Sequence, residues 1–145
     1  MLDESGSIGS NNFGLTKSFL SHLVGRLDVD SGNTRVGLVT YSSNVGTGFN
    51  LSDYSSVASV QSAISSLTIS GGGTNTDAAL AHVRSTMLTS AAGDRSNVPN
   101  VVVVLTDGHS TNTTATLVSI NDVGHIRLTV KQYTSVMMQQ IVSVH

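Results

Sequence analysis

No cysteine occurs in the 145 residues, which removes thiol nucleophiles, zinc–thiolate sites and disulfides from the chemistry open to the chain. That absence leaves the compartment undecided. Charge is scarce as well. Only 11% of residues are Asp, Glu, Lys or Arg, against 39% hydrophobic, and so weakly charged a chain is no solvated, disordered tail. The formal net charge of −2 supplies no basic field for nucleic acid. Long apolar runs are missing too. The longest, Val101 to Leu105, is the size of a strand and far short of the roughly 20 residues that span a bilayer. No signal peptide precedes Leu2, and Met1 leads straight into a polar loop, so the expectation is an intracellular chain or one whose amino end has been lost.

Ser, Thr, Asn and Gly wet the surface in place of charge. Two Asn-x-Ser/Thr sequons occur, Asn50-Leu51-Ser52 and Asn112-Thr113-Thr114. Each is a glycan acceptor only in a secreted protein, and in so Ser/Thr-rich a chain such triplets also arise by chance. The length suits a single domain, 1–145.

Hydrophobic periodicity divides the chain into alternating elements. Phe13, Thr16, Leu20, Leu23, Val24 and Leu27 recur at helical spacing after Ser10, predicting a helix to about Leu27. Arg35 to Tyr41 reads as a strand, and Thr47 to Leu51 as a short one. Val57, Val60, Ala63, Ile64 and Leu67 form a second helical stripe within Ser55 to Leu67. Asp77 is expected to help cap a helix over Ala78 to Leu88. Asn100 to Leu105 is apolar on both faces, as a central parallel strand covered on each side would be. Further on, a helix over Thr113 to Ile120, a strand over Ile126 to Val130 and a last helix over Tyr133 to Val144 are expected. Strands alternating with helices indicate an α/β chain with a mostly parallel sheet.

Three loops carry the chemistry. They are Asp3-Glu4-Ser5-Gly6-Ser7, Gly73-Thr74-Asn75-Thr76, and Thr106-Asp107-Gly108 directly after the apolar strand. Hard divalent cations take oxygen ligands, and Mg2+ keeps several waters unless carboxylates crowd it. Ser5 and Ser7 stand two apart in an extended loop, so both hydroxyls can turn to one side. Asp3 and Asp107 would lie at the carboxyl ends of two strands, where open α/β sheets place their ligand sites.

Blander readings stand beside this one. The first loop could be an ordinary helix-capping turn, and Asp107-Gly108 could merely end a strand. The triple glycine before Thr74 could cradle a phosphate, but it lacks the Lys of a phosphate-binding loop. Glu4 reads as solvated, and His109 as a surface residue or part of a ligand rim with Gly108. No Gly-x-Ser-x-Gly elbow appears, and neither Ser5 nor Ser7 has an identifiable base.

Taken together, the three loops resemble the metal-ion-dependent adhesion site of von Willebrand factor type A domains, over about Leu2 to Ser110. The resemblance implies a Rossmann-like, doubly wound sheet and one Mg2+ or Mn2+ held by Asp3, Ser5, Ser7, Thr74 and Asp107. In that scheme Ser5 and Ser7 coordinate directly, Thr74 directly or through water, and Asp3 and Asp107 mostly through water. The ion keeps an open position for a Glu or Asp of a partner. Among family members the sequence is most similar to the extracellular matrix types, such as the matrilin and collagen VI domains. This implies a non-enzymatic adhesion module outside the cell, with collagen or another matrix protein as partner. Alternatives are an intracellular scaffold domain in a larger complex and, below it, a metal-dependent hydrolase. Two departures from the family are expected to matter. Only Met1 and Leu2 remain of the central strand before Asp3, so the chain is expected to be truncated there. Residues 111–145 diverge, as a changed exon or reading frame would make them.

Overall fold

The sheet is organised around its shortest strand. The computed structural model describes residues 1–107 and the backbone of 126–132. Its elements are β1 (Leu2–Asp3), α1 (Gly9–Val24), β2 (Leu38–Tyr41), β3 (Val45–Phe49), α2 (Val57–Ser66), α3 (Thr76–His82), β4 (Asn100–Thr106) and β5 (Ile126–Gln132). A π-helical turn, Val83–Met87, continues α3. The strands lie in the order β3-β2-β1-β4-β5. All pairings are parallel except the β2–β3 hairpin, as expected of a doubly wound, mostly parallel sheet. In β1, Leu2 pairs with Thr40 on one side and Leu105 on the other, and Asp3 pairs with Tyr41.

Alternation along the strands sends neighbouring side chains to opposite faces. Leu2, Leu38 and Leu105 pack with Ile8, Phe13 and Val24 around α1 and with Val60 and Ile64 of α2. Val39, Tyr41, Val102 and Val104 pack with Ala79, Val83 and Met87 on the α3 side. Each fully buried Val, Leu or Ile contributes roughly 1.5–3 kcal/mol, so the sheet is stabilised from both faces. Burial at the sheet's centre extends to the backbone. The Met1 nitrogen donates to the Val103 carbonyl at 2.7 Å, and the Met1 carbonyl accepts from the Leu105 N–H at 3.0 Å.

The element boundaries differ from the sequence expectation for local reasons. β2 starts at Leu38 rather than Arg35, because pairing with β3 begins only at Leu38 opposite Phe49. Arg35 instead reaches the Gly93 carbonyl with its guanidinium at 2.6 Å. α2 starts after Ser56, whose hydroxyl accepts from the Ser59 N–H while the Ser59 hydroxyl accepts from the Ser56 N–H, a reciprocal capping box. α3 is capped by Asn75, whose side chain accepts from Ala78 N–H at 3.4 Å, and not by Asp77. Asp77 lies inside the first turn, where its charge favours the positive end of the helix dipole. The strand expected at Ile126 to Val130 is present as β5, running two residues further to Gln132. The helices expected at 113–120 and 133–144 lie outside the described residues.

Candidate metal site

Asp3, at the end of β1, is fully buried. Its Oδ1 accepts from the Ser5 N–H at 2.8 Å and its Oδ2 from the Thr106 hydroxyl at 2.7 Å. The carboxylate therefore fixes the first loop to the end of β4. Charge-assisted bonds of this kind are about twice as strong as neutral ones. Beyond Asp3 the chain turns sharply. The Ser5 and Ser7 hydroxyls come within 3.2 Å of each other, and the Ser7 hydroxyl donates to Asp107 Oδ1 at 3.1 Å. Asp3, Ser5, Ser7 and Asp107 thus form one continuous polar chain across the carboxyl ends of two adjacent parallel strands. None of them caps α1, whose N-cap position is held by Ile8 and has no side-chain cap.

The Gly71–Asn75 segment is drawn over this chain by backbone bonds. Gly6 N–H donates to the Gly72 carbonyl at 2.9 Å, Gly71 N–H to the Glu4 carbonyl at 2.9 Å, and Asn75 N–H to the Ser42 carbonyl at 2.7 Å. Gly73 N–H donates to the Ser43 hydroxyl at 2.8 Å. Gly72 holds φ at +98°, and a Cβ there would press on the Ser43 hydroxyl at 2.9 Å. Only glycine takes that turn without strain. Thr74, half-buried, follows two residues later.

Glu4 departs from expectation. It is only 4% exposed, because its N–H donates to the Tyr41 carbonyl at 2.9 Å and its side chain is laid over the hairpin. A Cβ on Gly46 would collide with the Glu4 carboxylate and the Thr40 hydroxyl, so the bare glycine backbone makes the room.

Tyr41 lies beneath the site. Its ring is fully buried and its hydroxyl lies against those of Thr76 and Thr106. Among the described residues it completes no well-formed hydrogen bond, at a cost of about 1–3 kcal/mol for such a group. Burial, with the charge of Asp3 second, pushes the phenol up to about 12.

The donors suit a hard cation. Among the described residues no group of three or more His, Asp or Glu gathers that could hold a metal, so the site is no carboxylate cage. Two carboxylates with neighbouring hydroxyls match the needs of Mg2+ or Mn2+, which bind oxygen and retain water.

The von Willebrand factor type A domain family model matches residues 1–141. The chain belongs to this family. It is 42% identical over 114 residues to the collagen alpha-4(VI) chain of Mus musculus, covering 77% of this chain and 5% of that one. With matrilin-4 of Homo sapiens it shares 41% over 113 residues, 76% of this chain and 18% of the relative. Vitrin of Mus musculus is 37% identical over 112 residues, 77% of this chain and 17% of the relative. The chain therefore spans under a fifth of the length of these relatives. Its fold is similar to that of proximal thread matrix protein 1 from the mussel byssus with a zinc-occupied MIDAS motif, at TM-score 0.81 and 21% identity, over 92% of this chain and 37% of that one. It is also similar to manganese-loaded Plasmodium vivax TRAP protein, at TM-score 0.73 and 20% identity, over 89% and 53%.

Within this type A domain the structure brings Asp3, Ser5, Ser7 and Asp107 together and ties the Thr74 segment to them. Asn50 stands apart, half-buried where β3 ends, its N–H donating to Asp53 Oδ2 at 2.7 Å. Gly108, His109 and Asn112 lie outside the described residues. Sequence reasoning missed Tyr41. Setting the strand ends in register would have found it, since Tyr41 is directly opposite Asp3.

Proposed function

We propose that the domain binds protein ligands through a divalent cation, Mg2+ or Mn2+. The observation that carries this reading is the unbroken polar chain from buried Asp3 through Ser5 and Ser7 to Asp107. Ser5 and Ser7 would hold the ion directly and Thr74 directly or through water, while Asp3 and Asp107 act mostly through water, orienting the inner ligands. The bound ion would supply an under-neutralised positive charge. With neutral hydroxyls nearest to it, that charge favours an incoming Glu or Asp carboxylate through a charge-assisted contact.

The zinc and manganese named for the two proteins of similar fold support a cation here. The likeness to collagen VI, matrilin-4 and vitrin chains supports an extracellular setting, with collagen or another matrix protein as partner and a binding rather than catalytic role. In a secreted protein Asn50 would be open to glycan attachment, read as a mass loss on glycosidase treatment. No helix among the described residues is long and apolar enough to cross a membrane.

Calorimetric titration with Mg2+ and Mn2+ tests the site. Saturable binding by the wild type, abolished in Ser5→Ala with Ser7→Ala, is the expected result. Equal binding by the double variant would remove these hydroxyls from the site.

A further inference from the structure

The described part of the molecule holds two buried side-chain oxygens without a hydrogen bond, Tyr41 Oη and Asp77 Oδ1, and the first lies against the cation site. Tyr41 is in register with Asp3 across the β1–β2 pair. Its ring packs on the α3 face with Val39, Val102 and Val104, which leaves the hydroxyl between two threonines. Thr76 opens α3 directly after the Thr74-Asn75 turn. Thr106 closes β4 directly before Asp107. The phenol oxygen thus stands between the two segments that carry Thr74 and Asp107.

The proton order of this group is set from one end. An ionised carboxylate only accepts, so the Thr106 hydroxyl spends its proton on Asp3 Oδ2. Its oxygen keeps acceptor capacity toward Tyr41. The Tyr41 hydroxyl can donate there and accept from Thr76 in turn. The resulting order runs Thr76 to Tyr41 to Thr106 to Asp3. Completing it turns the contacts of the Thr76 and Thr106 hydroxyls with the phenol into hydrogen bonds.

We propose that Tyr41 is a positioning residue for the cation, its buried hydroxyl joining the Thr76 and Thr106 hydroxyls when the ion draws the Thr74 and Asp107 segments together. This rests on the cation reading given above. Tyr41 touches no ion itself. It fixes the distance between the two arms that hold the ion directly or through water, and it exchanges an unpaired hydroxyl for a paired one on loading. Neighbours that orient ligands in this way typically change metal affinity by about 10–100-fold when removed.

The test compares the wild type with Tyr41→Phe and Thr76→Val, using Mg2+ alone as the probe. Calorimetry reads the affinity, and the near-ultraviolet difference spectrum on Mg2+ addition reads the environment of the phenol. The wild type is expected to show a tyrosine difference band that saturates with the calorimetric isotherm. Tyr41→Phe should lose the band and bind roughly tenfold more weakly, whereas Tyr54→Phe should keep both. Thr76→Val leaves the chromophore in place and should weaken binding while diminishing the band, so it carries the test if Tyr41→Phe does not fold. Mg2+ binding of unchanged affinity in both variants, or binding by the wild type with no tyrosine band, overturns the role of Tyr41. A wild type that binds no Mg2+ overturns the cation reading and this inference together.

Discussion

The Ser7 hydroxyl donates to Asp107 Oδ1 at 3.1 Å across a sequence separation of 100 residues. The contact joins the loop after β1 to the end of β4, two strands adjacent in the sheet. It forms because Asp3 has already fixed both sides, through Ser5 N–H on one and Thr106 on the other. Asp107→Asn preserves the size of the side chain and removes its charge. Stability should change by less than about 1 kcal/mol, since the contact is exposed. Mg2+ affinity should fall at least tenfold, as for other groups that orient metal ligands. Calorimetry paired with urea unfolding separates the two effects, and a variant with wild-type affinity would exclude Asp107 from the site.

Much of this arrangement was legible in the sequence because it depends on strand ends. An apolar run that stops abruptly at Thr106-Asp107 places a carboxylate at the edge of a parallel sheet, and the Asp3 loop supplies its counterpart. What pattern could not reveal is how side chains share space. Glu4 looks like a surface residue in a polar loop, yet the missing Cβ of Gly46 lets it lie buried over the hairpin. Asp77 looks like a helix cap, yet Asn75, two residues earlier, takes that place, because the turn out of Gly72 and Gly73 brings its amide oxygen over the first turn. Arg35 to Gly37 have strand-like composition, but strand pairing depends on partners and the hairpin partner begins opposite Leu38.

Gly72 should be intolerant of any side chain. Its φ of +98° disfavours L-residues, and the new Cβ would meet the Ser43 hydroxyl at 2.9 Å. Gly72→Ala is expected to cost about 1–3 kcal/mol, read as a lower urea midpoint. If the Gly6–Gly72 backbone bond is what holds Thr74 over the site, Mg2+ affinity should fall in the same variant. Loss of stability with unchanged affinity would show that Thr74 is placed by other contacts.

The phenol of Tyr41 makes a testable alkaline signature. Burial first, then the charge of Asp3, hold it up to about 12, against roughly 10 in an unfolded chain. Between these values the unfolded state has lost a proton that the folded state retains. Stability from this group is therefore complete below pH 10 and is lost as pH rises through 12. A shift of this size corresponds to about 3 kcal/mol. Urea midpoints measured at pH 9 and pH 11.5 should fall more steeply for the wild type than for Tyr41→Phe. Parallel pH profiles for the two proteins would mean that the phenol ionises normally.

Asp3 offers the sharpest separation between fold and site. Replacement by Ala leaves the Ser5 N–H and the Thr106 hydroxyl without their acceptor at a fully buried position, and each stranded group costs about 1–3 kcal/mol. The expected loss, several kcal/mol, approaches a large part of the stability of an ordinary domain. Asp3→Asn behaves differently. Its amide oxygen can still accept from Ser5 N–H, while the amide nitrogen turns to Thr106 and must donate there, which obliges the Thr106 hydroxyl to send its proton elsewhere. The Tyr41 hydroxyl lies beside it and can accept that proton, so the variant keeps these groups supplied with partners while changing which of them donates. Unfolding by urea should show Asp3→Asn within about 2 kcal/mol of the wild type and Asp3→Ala well below it, with Mg2+ affinity reduced in both. Two variants equally unstable would mean that the charge of Asp3, rather than its two accepted hydrogen bonds, holds β1 to β4.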